Sequence, residues 1–551
     1  MSVSVERASR TGYFINRNLF VETIIIPPPI TDMPIFFYAE SSESSTCCYP
    51  RDMNTTHNRF LQCLLIASLS TPVLCASGCQ NKQSLVEVEP TDPTTEQTSL
   101  VLDGEFNDWN GINSAKADSR YIYLNFSPKN DSPQPIQAAP YSTRIRFDVD
   151  QNPRTGRPMG WMSLTADIQQ PQGVDLLIEL SPKNELGSIG IGSAVTLYKD
   201  KQDAKFLGHA DLGFMFLPTF ASTQYEARID RLAPGAQLLR KQGLITIVID
   251  QVDENERFLW STTMQIELPE IDETPADKSA IVPTKPADSV RVMSSNVLFS
   301  SPLEEPDSFK RVLSAIDPDV ILYQEWFNTP VDQVQGWLNT NTGSGWQVHM
   351  TDPKSGVAIA TRNKILKTYD SILPASGSGR PARAVAALID TDAGELLAIS
   401  IHLKCCGSAG SEEDAKRIAQ AQAINSFVRS VHKNHPNSKV VIAGDFNLVG
   451  SYIPMAMMVD SLGVDGRDLT PVPAKLIGDE SMVTWNDEKS RFSPGRLDWM
   501  LIDESMSAAQ NAFVLDTRAL SEKALQQLKL DANDSKSSDH LPIVIDLVDA
   551  Q

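Results

Sequence analysis

Four short polar groups near the C-terminus carry side chains able to manage a cation and a phosphate ester. They are Gln324-Glu325, Gly444-Asp445-Phe446-Asn447, Leu497-Asp498 and Ser538-Asp539-His540. Carboxylates and an amide offer the hard oxygen ligands that a divalent cation takes. A carboxylate and an imidazole offer the proton acceptor and donor that phosphate transfer to water requires. Three of these groups border apolar runs that read as strands: DVILY leads into Gln324-Glu325, KVVIA into Gly444-Asp445, and Ser538-Asp539-His540 into LPIVIDL. Side chains at strand ends and in the loops beyond them are held by a rigid scaffold yet meet solvent, which favours catalysis there.

The elements that must position them follow from periodicity. A strand SVRVMSSN closes at Asn296, and PDSFKRVLSAI then places Phe309, Val312, Leu313 and Ile316 on one helical face. Strands GVAIAT, RAVAALID and LLAISIHL come next, and a long helix, EEDAKRIAQAQAINSFVRSVHKN, precedes KVVIAGD. This rhythm predicts two packed sheets flanked by helices. Asp445 and Asn447 stand two apart on a tight turn, so both can face one water and one phosphate oxygen. An Asx-type turn accounts for one of them but not both. Asp498 and His540 are expected to pair, which fixes the imidazole tautomer and raises its pKa. His432 and His435 fall at a helix end and read as solvated. Arg380 and Arg383, in GRPARAVAALID, can reach a substrate phosphate through bidentate contacts or brace a loop.

These motifs, in this order, resemble the endonuclease/exonuclease/phosphatase superfamily, the metal-dependent fold of DNase I. The resemblance covers roughly residues 288–551, about half of the chain. It implies a four-layer α/β/β/α sandwich and a hydrolase acting on phosphate esters. It implies Mg²⁺ or Mn²⁺ held by Glu325 with Asn296 and Asp539. It makes Asp445 the group that orients or deprotonates the attacking water and Asn447 a hydrogen-bond donor to the transition state. Asp498 and His540 form the acid–base pair. His402, in SIHL, matches the second histidine of DNase-like, sphingomyelinase-like and inositol-phosphatase-like members, where the abasic-site repair branch usually has Tyr. The inositol-phosphatase branch expects an aromatic and Arg after GDxN and a PxWxDR string, whereas this chain reads GDFNLVGS and SPGRLDWM.

The chain has 551 residues, enough for two or three domains, with a formal net charge of −21. From 286 to 551, 24 Lys/Arg stand against 34 Asp/Glu, a net of −10. That excludes a protein held on nucleic acid by a broad basic surface, but not a nuclease whose charge is managed locally by a divalent metal. Of seven cysteines, five (Cys47, Cys48, Cys63, Cys75 and Cys79) precede residue 80. Cys405 and Cys406 read as free or buried thiols, the alternative being a strained bond between neighbours.

The segment from Met53 has Arg59 in a positive n-region, an apolar stretch Phe60–Ala76, and Ala76-Ser77-Gly78-Cys79. It looks like a bacterial lipoprotein signal, with Cys79 as the lipidated residue. Ala76 departs from the bulky residue usual at that place, and ordinary secretory cleavage is the alternative. The apolar stretch is too short and broken for a transmembrane span. The protein is accordingly expected to be exported, periplasmic or at the cell surface, touching a membrane only through its lipid anchor. Residues 1–52 read as a non-native extension or disordered, and 80–97 as a polar tether.

Between 98 and 270 short alternating runs recur: YIYLNFS, STRIRFDVD, VDLLIELS, AVTLYK, QYEARID, LITIVID and TMQIELP. They predict an all-β sandwich. LVLDGEFNDWNGI and FDVDQNPRTGRP resemble family 9-type carbohydrate-binding modules, which implies a polysaccharide partner. Asp148 and Asp150 can hold Ca²⁺ or form a polar turn. Trp109, Trp161 and Trp260 can stack on sugar or fill the core. A Pro-rich linker, 271–287, is expected to stay extended and let the two domains fold and act separately.

The sequence thus points to a metal-dependent phosphodiesterase, nuclease first. The alternatives are a phospholipase C or sphingomyelinase-like enzyme, or a sugar- or inositol-phosphate phosphatase. A carbohydrate-binding surface protein with an idle enzyme domain is the non-enzymatic reading.

Overall fold

The computed structural model describes residues 100–549, apart from 113, 130–131, 153, 159–172, 185–186, 200–202, 274–280 and 375–378. The signal segment with Cys79, and Trp161, lie outside the described residues. Among those described, no helix is long and apolar enough to cross a membrane.

In the C-terminal domain, the strand Val290–Asn296 alternates its side chains between two cores. Val290 and Val292 point inward and Met293 outward, as a period of two requires. The neighbouring strand, Val320–Gln324, does the same with Val320 and Leu322 inward and Ile321 and Tyr323 outward. Strands buried on both faces make two sheets with a shared apolar interior. One sheet has seven strands and the other six. Their inner faces meet through Ile359, Val385, Ala398, Val441 and Met500. Helices Pro306–Ile316 and Val331–Asn341 cover the outer face of the first sheet through Val312, Leu313, Ile316, Val334 and Leu338. Glu412–His432 and Ile453–Val459 cover the second through Ile424, Val428, Met455 and Met458. The result is the α/β/β/α sandwich.

The middle domain is a sandwich of a four-stranded and a six-stranded antiparallel sheet. Its core includes Ile122, Phe126, Ile145, Phe147, Ile178, Phe216, Ile229 and Ile247. Trp109 is buried, and its indole N–H donates to Glu226 Oε2 at 3.0 Å. Trp260 packs against the sandwich core. Both act as core side chains rather than as an open platform.

The two domains are packed against each other rather than joined only by an extended linker. The described residues of both domains, 100–549, form one compact unit. Leu102 and Leu217 of the sandwich belong to the inner core of the C-terminal domain. Leu102 exchanges backbone hydrogen bonds with Glu480 and Met482, each 2.9 Å. Arg228, buried in the sandwich, holds Asp479 of the other domain with both terminal nitrogens, at 2.7 and 2.9 Å. A composition-based linker reading cannot see such a seam, because it is made by residues far from the linker.

Candidate active site

Strand register builds the site. Gly394–His402, Lys439–Asp445 and Asp498–Asp503 lie side by side, with His402 opposite Asp445 and Asp445 opposite Asp498. Three functional side chains therefore emerge from one edge of the second sheet. In the first sheet Asn296 is opposite Gln324, the residue before Glu325. Gln324 donates through Nε2 to Ser400 Oγ of the second sheet at 3.0 Å, a polar link between the two sheets. Gly444, at φ +147°, lies so close to the neighbouring strand that a Cβ there would strike the Ile401 carbonyl oxygen. Only glycine lets the Asp445 strand approach the His402 strand in this way.

Glu325 and Asn447 both sit in left-handed backbone, at φ +67° and +47°. Non-glycine residues there are uncommon and concentrate at functional sites. Glu325 Oε1 accepts from Asn296 Nδ2 at 3.1 Å, and Oε2 from the Phe299 amide at 3.0 Å. Asp445 Oδ1 accepts the Asn447 amide at 2.9 Å, and Oδ2 accepts Asn447 Nδ2 at 2.7 Å. Asn447 also donates to the Leu403 carbonyl at 3.2 Å. Burial, together with the Asp498 and Glu325 charges, pushes the Asp445 carboxyl up to about 7 despite the opposing His540 charge.

The expected pair is present: His540 Nδ1 lies 2.7 Å from Asp498 Oδ2. Burial alone would lower the His540 pKa, but the Asp498, Asp445 and Asp539 carboxylates outweigh it and raise the ring to about 10. His540 is thus an imidazolium at neutral pH, with Nε2 3.9 Å from Asp445 Oδ2. His402 is the opposite case. Burial and the nearby Arg383, His540 and Lys404 charges hold it well below its ordinary value, so it is neutral. Its Nε2 lies 3.4 Å from Asp445 Oδ2 and 3.9 Å from Glu325 Oε1.

Glu325, His402 and Asp445 each place one ligand atom within 4.8 Å of the others. Asp539 stands outside this tight group. Its Oδ2 accepts the Trp485 indole N–H at 2.9 Å, and its Oδ1 is buried without a hydrogen-bond partner among the described residues. A buried carboxylate oxygen left bare is costly, and a cation is one way to satisfy it. The oxygen donors of Glu325, Asp445 and Asp539 suit a hard divalent ion, whereas the His402 imidazole is a borderline donor more usual for transition metals. Ser538 ties this loop to the first sheet by donating to the Asn296 carbonyl at 2.9 Å.

Arg383 joins the site and Arg380 does not. Arg383 Nε donates to the His402 carbonyl at 2.9 Å, its guanidinium lies 5.9 Å from the Phe327 ring centre, and one terminal nitrogen is buried without a partner among the described residues. Arg380 is exposed, and among the described residues no contact brings it to the cleft. Sequence reasoning missed Thr484, whose hydroxyl accepts the Leu497 and Asp498 amides at 3.1 and 2.9 Å. It also missed Trp485, and Phe327, whose ring centre is 6.0 Å from that of His402. Thr484 and Trp485 sit outside any strand or helix pattern, so no periodic signal marks them.

This fold and this site define a hydrolase of phosphate esters of phosphodiesterase type. Residues 293–540 match the model of the Endonuclease/Exonuclease/phosphatase family. A comparison with curated proteins found no match. Among solved structures the chain is similar to beta toxin from Staphylococcus aureus, at 19% identity and a TM-score of 0.32, over 46% of this chain and 99% of that one. It is similar to the human Nocturnin catalytic domain at 18% identity and a TM-score of 0.32, over 48% and 96%. A 3′-5′ exonuclease from Neisseria meningitidis shares 17% identity with a TM-score of 0.35, over 47% and 100%.

Proposed function

We propose that the protein is an exported, divalent-metal-dependent phosphodiesterase whose preferred substrate is nucleic acid. The observation that carries the reaction is the convergence of Glu325, His402, Asp445, Asn447, Asp498 and His540, drawn from both sheets, on one cleft. Glu325 would hold Mg²⁺ or Mn²⁺, with Asn296 beside it and Asp539 offering its bare oxygen. Such an ion, when bound, polarises the phosphoryl oxygen and acidifies water. Asp445, oriented by Asn447, takes the proton of the attacking water as its oxygen bonds to phosphorus and the opposite ester P–O bond breaks, the leaving alkoxide gaining its proton from solvent. His540, charged by Asp498, offers Nε2–H to the phosphate as negative charge builds. The unpartnered nitrogen of Arg383 binds a phosphate oxygen.

Support for nucleic acid comes from the rim. Phe299 is 71% exposed, and its ring centre lies 5.7 Å from that of Phe327, which in turn adjoins His402. Exposed aromatics beside a phosphate site suit stacked bases. The same rim would also meet the apolar part of a phospholipid, so the test includes both. The full chain is incubated with Mg²⁺ or Mn²⁺ against DNA, RNA, sphingomyelin and phosphoinositides. We expect DNA or RNA to be cleaved, EDTA to abolish turnover and either metal to restore it. Full activity in chelator defeats the metal-dependent mechanism, and cleavage of lipid alone defeats the nuclease assignment.

Export rests on the motif ending at Cys79, and surface polysaccharide is the proposed partner of the sandwich. Expressed from Met53 in bacteria, the chain should take a fatty-acid label that Cys79→Ser removes. An unlabelled mature chain would leave plain secretion as the route.

A further inference from the structure

The sandwich meets the C-terminal domain at two of the loops that carry its catalytic groups. The contact is made by the sandwich segment Leu217–Ala221. Leu217 enters the inner core between the sheets, and Phe220 packs on the outer cluster that holds Phe446, Leu448 and Met455. Between them, the Thr219 hydroxyl lies 2.8 Å from the Leu448 carbonyl oxygen and 3.2 Å from that of Arg496. The Ala221 amide donates to Gly450 O at 2.8 Å, and the Phe220 ring centre lies 4.8 Å from that of Tyr452.

Position in sequence gives these contacts their meaning. Leu448 follows Asn447, and Arg496 stands two residues before Asp498. One hydroxyl from the sandwich thus spans the loop of the proton acceptor and the loop of the carboxylate that orients His540. Within the C-terminal domain the same loops share a hydrogen bond, from the Phe446 amide to Leu497 O at 3.0 Å. Thr219 supplies a second cross-link from outside. The fit is close on the apolar side as well: a Cβ on Gly495 would collide with the Thr219 Cγ2 methyl.

We propose that the sandwich is part of the active-site scaffold, and that Thr219 is a positioning residue that sets the separation of the Asp445–Asn447 turn from the Asp498–His540 pair. The consequence is a C-terminal half that does not reach full turnover without its neighbour, although every reacting group lies within that half. This role for Thr219 rests on the hydrolytic reading of the cleft and adds to it. Displacement of a reacting group by about 1 Å costs on the order of 100-fold in rate. A lost cross-link between two catalytic loops should therefore be read in kcat.

The test uses the full chain and a small soluble phosphodiester, bis-p-nitrophenyl phosphate with Mn²⁺. Thr219→Val keeps the shape and removes the hydroxyl. It should lower kcat between about 10- and 100-fold with KM within about twofold. Gly495→Ala should lower kcat by the clash, and adding Thr219→Ser, which removes the offending methyl and keeps the hydroxyl, should recover most of the loss. Amide hydrogen exchange at Phe446, Asn447 and Asp498 should quicken in Thr219→Val, a readout that needs no turnover. A folded Thr219→Val with wild-type kcat, a change confined to KM, no recovery in the double variant, or unchanged exchange would each overturn the proposal. If Thr219→Val does not fold, the Gly495 pair decides alone. A wild-type protein that cleaves no phosphodiester counts against the hydrolase reading, and the exchange experiment then still judges Thr219.

Discussion

Among the described residues two clusters rich in carboxylates each bring three ligand atoms within 4.8 Å of one another, and they are built in opposite ways. In the sandwich, Asp148, Asp150 and Asp175 are served by their own turn. Asp148 accepts the Gln151 amide at 2.8 Å, Asp150 accepts the Asn152 amide and the Thr155 hydroxyl at 2.9 Å, and Asp175 accepts the Val149 amide at 2.8 Å. In the cleft, Glu325, His402 and Asp445 come from separate strand ends across 120 residues of sequence. They face an imidazolium at His540 and adjoin carboxylate and guanidinium atoms with no partner among the described residues. Proximity of carboxylates is common to both. What distinguishes the cleft is charge arranged beyond what the fold needs, with an acceptor on Asp539 and a donor on Arg383 left for something else to satisfy.

The largest expected effect comes from the cleft. Asp445→Asn should fold normally yet lose about 10²–10⁴-fold in kcat, the usual contribution of a general base. A kcat within threefold of wild type would remove Asp445 from the mechanism. Arg383→Lys keeps the charge but loses the planar fork. It should cost roughly 10- to 100-fold in kcat/KM, as for a hydrogen bond to a charged group, and no loss would make Arg383 only a brace for the His402 strand.

The pH profile separates the clusters next. The active form needs Asp445 without its proton and His540 with one. Without added metal charge, the working fraction rises as pH passes about 7 and falls as it passes about 10. A bound divalent cation favours the carboxylate and moves the acidic limb lower, leaving a broad plateau in kcat/KM. Asp498→Asn should bring the alkaline limb down, because it removes the charge that holds the His540 proton. An alkaline limb unmoved in Asp498→Asn would dissociate that limb from His540.

The smallest effect belongs to the sandwich turn. Asp150→Asn retains the side-chain oxygen acceptor and should leave turnover unchanged, with stability altered by less than about 0.5 kcal/mol. A calcium-dependent rise in the melting temperature of the wild type, absent in Asp150→Asn, would instead make this turn a cation site and erase the contrast.

Much of the cleft was legible in sequence because its residues sit where apolar runs end. Period-two alternation located the strands closing at Asn296, Gln324, His402 and Asp445, and the Ser538-Asp539-His540 run before its strand. The helices Pro306–Ile316 and Glu412–His432 were equally plain. The helix Val331–Asn341 was missed, although Val331, Val334, Trp337 and Leu338 mark one face, because Gly336, Asn339, Thr340 and Asn341 are weak helix formers. Arg380 and Arg383, three apart in one loop, were equivalent in sequence. Only packing against His402 and Phe327 drew one into the cleft and left the other in solvent.

By itself, then, the sequence determined the strands that close at Asn296, Gln324, His402 and Asp445 and the one that follows His540, the two sheet layers they imply, and the residue types presented at their ends. Those are properties of local periodicity and chemistry. Tertiary structure alone decided that His402, Asp445 and Asp498 stand in one row, since register depends on pairing between distant strands. It also decided that the sandwich grips the catalytic loops through Leu217 and Thr219. Such a contact joins residues more than 200 positions apart, and no local pattern encodes a partner that far away.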